Sequence, residues 1–161
     1  MTTMRSAESL STAVIRQLIA IPQSHYCNIG FWPCQATLLD GRILPRVIIR
    51  CSKQYYEDSD LFIPASQISA VSESQFRLPA MWANVVYAHG ETRMSSFMFR
   101  VFFRDKTHID VSLGSTIDFI PYPDGKTATD VFKVEPWKYL TQPFTASTLP
   151  SPTFYRCVFN P

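Results

Sequence analysis

The chain has 161 residues, a length that fits one ordinary domain or two very small ones and needs no disulfide or metal to hold its core. Hydrophobic residues make up 46% and charged residues 17% of the sequence, which excludes an intrinsically disordered chain. No apolar run approaches the roughly 18 residues of a membrane-spanning helix. The net charge of +2 is too small for a surface devoted to coating nucleic acid or membrane.

The N-terminal segment carries a helical pattern. Apolar residues recur at spacings of three and four between Ser6 and Ala20, and Pro22 ends the pattern. Arg16 interrupts the apolar stretch, which argues against a cleavable signal peptide and for a cytoplasmic protein. We therefore expect an amphipathic helix over about residues 5–21 that packs on a sheet.

Residues 34–51 carry the clearest β signal. Alternating runs flank Asp40-Gly41, and an Asp-Gly pair in this position is the strongest short-range sign of a two-residue hairpin turn. The turn predicts three cross-strand pairs on one apolar face: Leu38 with Ile43, Ala36 with Pro45, and Cys34 with Val47.

A second hairpin is predicted over residues 97–113. A two-residue loop would place Phe103 opposite a histidine, whereas a three-residue loop at Asp105–Thr107 keeps apolar residues opposite one another. The predicted pairs are then Phe103 with Ile109 and Val101 with Val111.

Further short strands are predicted at residues 61–64, 68–72, 81–88, 116–121, 131–135 and 154–159, although 81–88 also fits a helix. Short strands separated by turns are typical of a barrel or sandwich. Residues 141–161 hold four prolines and one charged residue, a composition that favours extended chain. The sequence thus predicts one mainly β domain over residues 1–140, built as a small barrel or sandwich of antiparallel hairpins, and an extended Pro-rich C-terminal arm over 141–161. It shows no internal repeat.

Part of this β pattern resembles a known class of small barrels. The stretches Ala36–Leu44 and Phe62–Val71 are similar to the strand order of Sm-like and other SH3-like barrels, which use a polar-Gly hairpin and then a short strand with an Ile-x-x-Val-like run. The glycine that usually bends the second strand of those barrels is replaced here by Pro45-Arg46. The resemblance implies an SH3-like fold and, with it, oligomeric rings or contact with nucleic acid.

Basic residues follow one strand of the first hairpin. Arg42, Arg46 and Arg50 are four residues apart, which places them on one face of a regular strand, and Lys53 follows them. Such a row can bind phosphates or carboxylates through bidentate hydrogen bonds. The alternative is a solvated strand face that the acidic stretch 57–60 neutralises.

The second hairpin offers another polar group on one face. In the predicted register Arg104 faces His108, Arg100 faces Ser112, and Asp110 lies diagonal to both arginines. The group could bind an anion or a partner. The alternative is a cross-strand charge network that only stabilises the sheet.

His25, Cys27 and Cys34 are the residues from which a thiol enzyme or a metal site could be built. Their spacing matches no strong ligand or nucleophile pattern, and none of the four cysteines forms a C-x-x-C pair. We therefore predict reduced thiols, no enzyme activity, no cofactor and no metal.

These observations favour a non-enzymatic interaction module that binds a protein partner or self-associates as a homo-oligomer in an assembly. The alternative is a nucleic-acid-binding small β-barrel that uses the arginine row. No membrane partner is expected.

Overall fold

The computed structural model describes residues 2–57, 61–140 and 143–161. The chain forms two compact units, as far as its residues are described: the first from Met1–Gln23, Ile29–Ser74 and Thr153–Pro161, the second from Ser24–Asn28 and Gln75–Pro152. The predicted division into a domain over 1–140 and an arm over 141–161 stays a prediction.

The fold is mainly β, as predicted. Of the two predicted architectures, barrel or sandwich, the barrel is wrong, because the sheets formed by the described residues are open. In chain order the elements are β1 (Thr3–Ser6), α1 (Thr12–Ile19), β2 (Ser24–Tyr26), β3 (Ile29–Leu38), β4 (Ile43–Cys51), β5 (Gln54–Glu57), β6 (Ile68–Ser72), α2 (Ala80–His89), β7 (Phe97–Phe103), β8 (His108–Leu113), β9 (Val131–Pro136) and β10 (Tyr155–Phe159). Short 3-10 helices lie at Ala65–Gln67, Ala128–Asp130 and Trp137–Tyr139.

The N-terminal helix is confirmed but is shorter than the predicted 5–21. The Ser11 side chain accepts a hydrogen bond from the Val14 N–H at 3.2 Å, and this N-cap makes α1 begin at Thr12. The residues before the cap form β1, which pairs antiparallel with β5. The apolar face of α1 buries Val14 and Leu18 in the core of the first unit.

The first unit is built on the hairpin of β3 and β4. β3 pairs antiparallel with both β4 and β6, and the far side of β4 pairs in parallel with β10. The predicted strand at 154–159 is therefore present, and it ties the end of the chain into this sheet. The predicted strand at 68–72 is also confirmed.

The loop of the first hairpin has three residues, Leu39 to Gly41, rather than the predicted two. The Leu38 N–H donates to the Arg42 carbonyl oxygen at 2.9 Å, and the Gly41 N–H donates to the Leu38 carbonyl oxygen at 2.9 Å. Gly41 has a φ of +86°, which fits a type I turn followed by a left-handed residue. The extra loop residue places Ile43 opposite Thr37 instead of Leu38.

A β-bulge then restores the predicted register further along the hairpin. Pro45 and Arg46 together oppose Gln35, and beyond them Val47 lies opposite Cys34 as predicted. The bulge shifts the alternation of β4, so the buried residues of this strand are Leu44, Val47 and Ile49. The predicted inward position of Ile43 is wrong, since its side chain is exposed.

The second unit contains the three-stranded antiparallel sheet β8-β7-β9. The predicted strand at 131–135 is confirmed as β9. The segment 81–88 is the helix α2, because its buried residues Ala83, Val86 and Tyr87 recur at helical spacing. The segments 61–64 and 116–121 form only isolated bridges, through Phe62 and Phe119.

The loop of the second hairpin has the predicted length but lies one residue earlier, at Arg104–Lys106. The Phe103 N–H donates to the Thr107 carbonyl oxygen at 2.9 Å, and Lys106 has a φ of +72°. Cross-strand partners therefore differ by two residues from the prediction, while every side chain keeps its predicted face. Arg100 now lies opposite Asp110, and Phe102 lies opposite His108.

The two units share one topology although the sequence shows no repeat. Each has a helix followed by a hairpin, then a 3-10 helix and a third strand that pairs with the first strand of the hairpin. Each hairpin loop also contains the same kind of hydrogen bond, in which the side chain of an aspartate in the loop accepts from the N–H two residues later. The aspartates are Asp40, which accepts from Arg42, and Asp105, which accepts from Thr107, each at 3.0 Å.

Gly41 and Lys106 hold the left-handed position of the two loops, and substitutions there should change stability in opposite directions. Gly41→Ala should destabilise the protein by about 1–2 kcal/mol, because a Cβ disfavours this backbone conformation. Lys106→Gly should stabilise it by up to about 1 kcal/mol, because the strain of a non-glycine residue is relieved. Urea denaturation measures both. Gly114→Ala, at a glycine without positive φ, is the control, and an equal loss there and at Gly41 would contradict the argument.

Candidate functional site

The structure divides the predicted arginine row. Arg42 directly follows the hairpin loop, and its Nε contacts Asp40 Oδ2 at 2.8 Å. Arg46 lies half-buried at the bulge, and this burial lowers its pKa below the ordinary arginine value. Arg50 and Lys53 are exposed at and beyond the end of β4. The anion-binding role of these four residues stays a prediction.

Arg156, which no sequence pattern singled out, lies on the same face of the sheet as Arg46 and Arg50. The parallel pairing of β10 with β4 sets Arg156 opposite Ile48, between the positions of Arg46 and Arg50. Arg156 is exposed, and its guanidinium carbon lies 5.4 Å from the centre of the Phe154 ring. No local signal could have found it, because the pairing joins segments about a hundred residues apart in sequence.

The structure keeps the predicted polar group on the second hairpin only partly together, because Arg100 and His108 line one cavity whereas Arg104 does not line it. Arg100 is buried opposite Asp110. Arg104 is exposed and donates from Nε to the Thr129 carbonyl oxygen at 3.0 Å. His108 is exposed at the start of β8, and its ring lies 5.8 Å from that of Phe102. The roles predicted for Arg100, Arg104 and His108 remain predictions.

The Arg100–Asp110 pair is bidentate and almost fully buried. Arg100 Nε donates to Asp110 Oδ1 at 2.5 Å, and Arg100 Nη2 donates to Asp110 Oδ2 at 2.9 Å. Burial disfavours the charged carboxylate, but the bonds from Arg100 and from the Thr145 N–H outweigh burial and hold the pKa of Asp110 below its ordinary value. The pair lines a cavity of about 470 Å³ together with His108 and Ile109 of β8 and with Pro143 and residues 145–148.

A second buried polar cluster lies in the same unit. The fully buried Asp118 accepts hydrogen bonds from the Ser24 hydroxyl and from the Tyr87 hydroxyl, the latter at 2.5 Å. Arg77 Nη2 donates to Ser24 Oγ at 3.1 Å. Burial raises the pKa of Asp118 above its ordinary value. Its hydrogen bonds join Ser24 of β2 and Tyr87 of α2 to Arg77 and Asp118 inside this unit, so we assign the cluster a structural role.

The residues considered for thiol or metal chemistry lie in different settings. Cys34 is buried in the core of the first unit, whereas Cys27 is exposed in the turn after β2. The His25 backbone N–H donates to Asn84 Oδ1 at 2.8 Å. Among the described residues no group of three His, Cys, Asp or Glu side chains could hold a metal ion.

Exposed aromatic residues gather around Trp137, just after β9. Trp137 is 46% exposed and lies between two cavities, of about 210 Å³ and about 590 Å³, that share Trp137 and Met98 as lining residues. We call these two cavities with their lining residues the Trp137 surface. The smaller cavity is lined by Val86, His89, Gly90, Glu91, Thr92, Phe97, Met98, Pro136, Trp137 and Lys138, and the larger one by Arg93, Ser96, Met98, Ser112, Trp137, Phe144 and Ala146.

The sequence places Trp137 at this position through β9. Pro136 ends the strand, and the 3-10 helix that follows turns Trp137 and Tyr139 outward. Tyr139 is 55% exposed and contacts the His89 ring at a centroid distance of 5.0 Å. No local sequence pattern marks these two aromatic residues as exposed, and only the packing of the unit shows that they are.

The charges that line the Trp137 surface are mainly positive. Lys138 and Arg93 are exposed cations. Glu91 is the one carboxylate among the lining residues, and it already accepts from the Tyr26 hydroxyl at 2.9 Å and from the Ser95 N–H at 2.9 Å. The bond to Glu91 raises the pKa of Tyr26 to about 12, so this phenol stays protonated at neutral pH.

Comparison of the chain with protein-family models, curated proteins and solved structures gives no match. Neither α1 nor α2, the α-helices of the described ranges, is long and apolar enough to cross a membrane.

Proposed function

We propose that the protein is a non-enzymatic interaction module that binds an extended segment of a partner protein at the Trp137 surface. One observation carries the proposal: a tryptophan that is nearly half exposed stands between two cavities and lines both. Exposed aromatic side chains beside pockets are characteristic of binding sites, and tryptophan is the residue most enriched among those that dominate binding energy.

The neighbours of Trp137 support this assignment. Met98 lines both cavities, and its unbranched, polarisable side chain adapts to the shape of a ligand. Tyr139 adds an amphipathic ring of the kind enriched at protein interfaces. The surface therefore suits a partner segment that inserts an apolar or aromatic side chain beside Trp137.

Charge adds a second feature of the partner. Lys138 and Arg93 are exposed, whereas Glu91 is held by two hydrogen bonds of its own unit. A carboxylate on the partner would be attracted to these two cations, more strongly at low salt. We therefore expect an acidic residue next to the apolar anchor of the partner.

Replacing Trp137 tests the proposal. Peptides selected from a random peptide display library on the intact chain should bind about 30-fold more weakly to Trp137→Ala, since a dominant interface residue contributes about 2 kcal/mol or more. Fluorescence anisotropy with the selected peptides measures the affinity.

Phe132→Ala is the matched control, because Phe132 is an exposed aromatic residue of β9 that lines neither cavity. Its affinity should equal that of the unmodified chain. Equal binding by Trp137→Ala, or selection of no peptides at all, would contradict the proposed function.

The second candidate function is nucleic-acid binding, which the arrangement of Arg46, Arg50 and Arg156 on one face favours. Arg50→Glu together with Arg156→Glu should then weaken binding to single-stranded RNA or DNA and reduce the dependence of the remaining affinity on salt. Unchanged binding by this double variant would exclude this face as a nucleic-acid site.

Self-association, with a second copy of the chain as the partner, stays a prediction, and sedimentation equilibrium tests it. A cytoplasmic location also stays a prediction.

A further inference from the structure

Residues 143–148, which we call the strap, are bound along the outer edge of β8. The Thr145 N–H donates to Asp110 Oδ2 at 2.6 Å, and the Ser147 N–H donates to the Asp110 carbonyl oxygen at 2.8 Å. Ala146 forms a parallel bridge with Asp110, and Arg100 Nη2 donates to the Pro143 carbonyl oxygen at 2.8 Å. The strap thus lies as an added extended segment on a sheet edge, as peptide ligands do in β-augmentation.

The strap also reaches the Trp137 surface. Phe144 is half-buried and lines the larger cavity together with Trp137, Met98 and Ala146. An aromatic side chain of the strap itself therefore forms part of the wall of the larger cavity beside Trp137, where an anchor residue of a partner would lie. The flanking hydrogen bonds are made by the backbone, so they do not depend on which side chains a bound segment carries.

The attachment of the strap is local and small. Its described hydrogen bonds to the sheet are made with one residue of β8, Asp110, and one residue of β7, Arg100. Thr145, Ala146 and Thr148 remain exposed. Segments with few buried contacts open at a low free-energy cost compared with a core strand.

We propose that the strap is an internal ligand of the β8 edge and of Trp137 and Met98 beside it, and that the partner is an extended segment of the same chemistry which displaces it: an aromatic residue among small hydroxyl-bearing residues. The inference rests on the proposed function and specifies its partner. The strap has the sequence Pro-Phe-Thr-Ala-Ser-Thr and carries no charge. The strap has the advantage of a high effective concentration, because it belongs to the same chain as its binding site. A partner with an acidic residue is in addition attracted to Lys138 and Arg93, which offsets this advantage of the uncharged strap.

A labelled peptide with the sequence of residues 141–150, Thr-Gln-Pro-Phe-Thr-Ala-Ser-Thr-Leu-Pro, is the probe that tests the inference. Its affinity for the intact chain should be low, because the strap already occupies the site. Phe144→Ala weakens the internal competitor, so this full-length variant should bind the probe at least about tenfold more tightly by fluorescence anisotropy. Leu149→Ala, which changes a residue beyond the strap, should leave the affinity unchanged.

Thr145→Pro provides an independent variant. It removes the N–H that donates to Asp110 and leaves Phe144 in place, so it should also raise the affinity for the probe. Equal or weaker probe binding by both variants would overturn the inference. If peptides selected from the library still depend on Trp137 in that case, the proposed function stands without the internal ligand; if no peptide depends on Trp137, the proposed function itself fails.

Discussion

Asp110→Leu should destabilise the protein by about 3–5 kcal/mol, whereas the double variant Arg100→Met with Asp110→Leu should recover most of that loss. The single change leaves the Arg100 guanidinium buried at 3% exposure without its carboxylate. The double change removes both charges and fills the space with apolar side chains of similar volume. Guanidinium denaturation of the intact chain, both single variants and the double variant gives the coupling free energy of the pair.

The low pKa of Asp110 adds a dependence on pH. The unfolded aspartate has an ordinary pKa near 3.9 and binds a proton more readily than the folded one, so the stabilisation is fully present above that pH. It is lost as pH falls through the lower pKa of the folded state. The double variant should lack this acid-induced loss. A double variant as unstable as Asp110→Leu, with the same acid profile as the intact chain, would contradict the assigned pair.

Asp118→Ala should destabilise the protein by about 3 kcal/mol or more, because it leaves the buried hydroxyls of Ser24 and Tyr87 without their acceptor, at about 1–3 kcal/mol each. Asp118→Asn keeps one acceptor oxygen and the volume of the side chain, so its loss should be smaller. Urea denaturation of both variants measures the difference.

The pH dependence at Asp118 has the opposite sign from that at Asp110. Burial raises the pKa of Asp118, so between the unfolded pKa and the folded pKa the native state binds more protons and stability falls as pH rises. Asn carries no such proton. The loss caused by Asp118→Asn should therefore shrink as pH rises from about 4 to 8. A loss that grows with pH would show instead that the carboxylate form stabilises the cluster.

Local sequence signals predicted the parts of the fold that depend on neighbouring residues. The alternation of apolar residues located both hairpins and, on β7, the buried face of Phe97, Phe99 and Val101. Regular alternation has a period of two, and a shift of cross-strand partners by two residues leaves each side chain on its face. The faces of β7 and β8 were therefore predictable although the loop position was wrong by one residue.

The cross-strand pairs of β7 and β8, in contrast, depend on the position of the hairpin loop. Placing the loop at Arg104–Lys106 moved Arg100 from Ser112 to Asp110 and changed a surface pair into a buried ion pair. In the first hairpin the extra loop residue shifts the cross-strand register by one residue. The bulge at Pro45-Arg46 reverses this shift, so only the pairs beyond the bulge match the predicted register. Neither a loop choice nor a bulge has a strong local signal, because several turns of similar energy fit the same residues.

Contacts between distant segments, which form both the buried polar clusters and the candidate site, were decided by tertiary structure alone. Ser24, Arg77, Tyr87 and Asp118 meet although they span nearly a hundred residues, and the strap meets Asp110 from 35 residues away. By itself the sequence determined a mainly β chain with an N-terminal helix and two hairpins, because periodicity and turn chemistry are local. Which aromatic residue stays exposed, and which arginine is buried, follows from how distant segments pack together, as the exposed Trp137 and the buried Arg100 show.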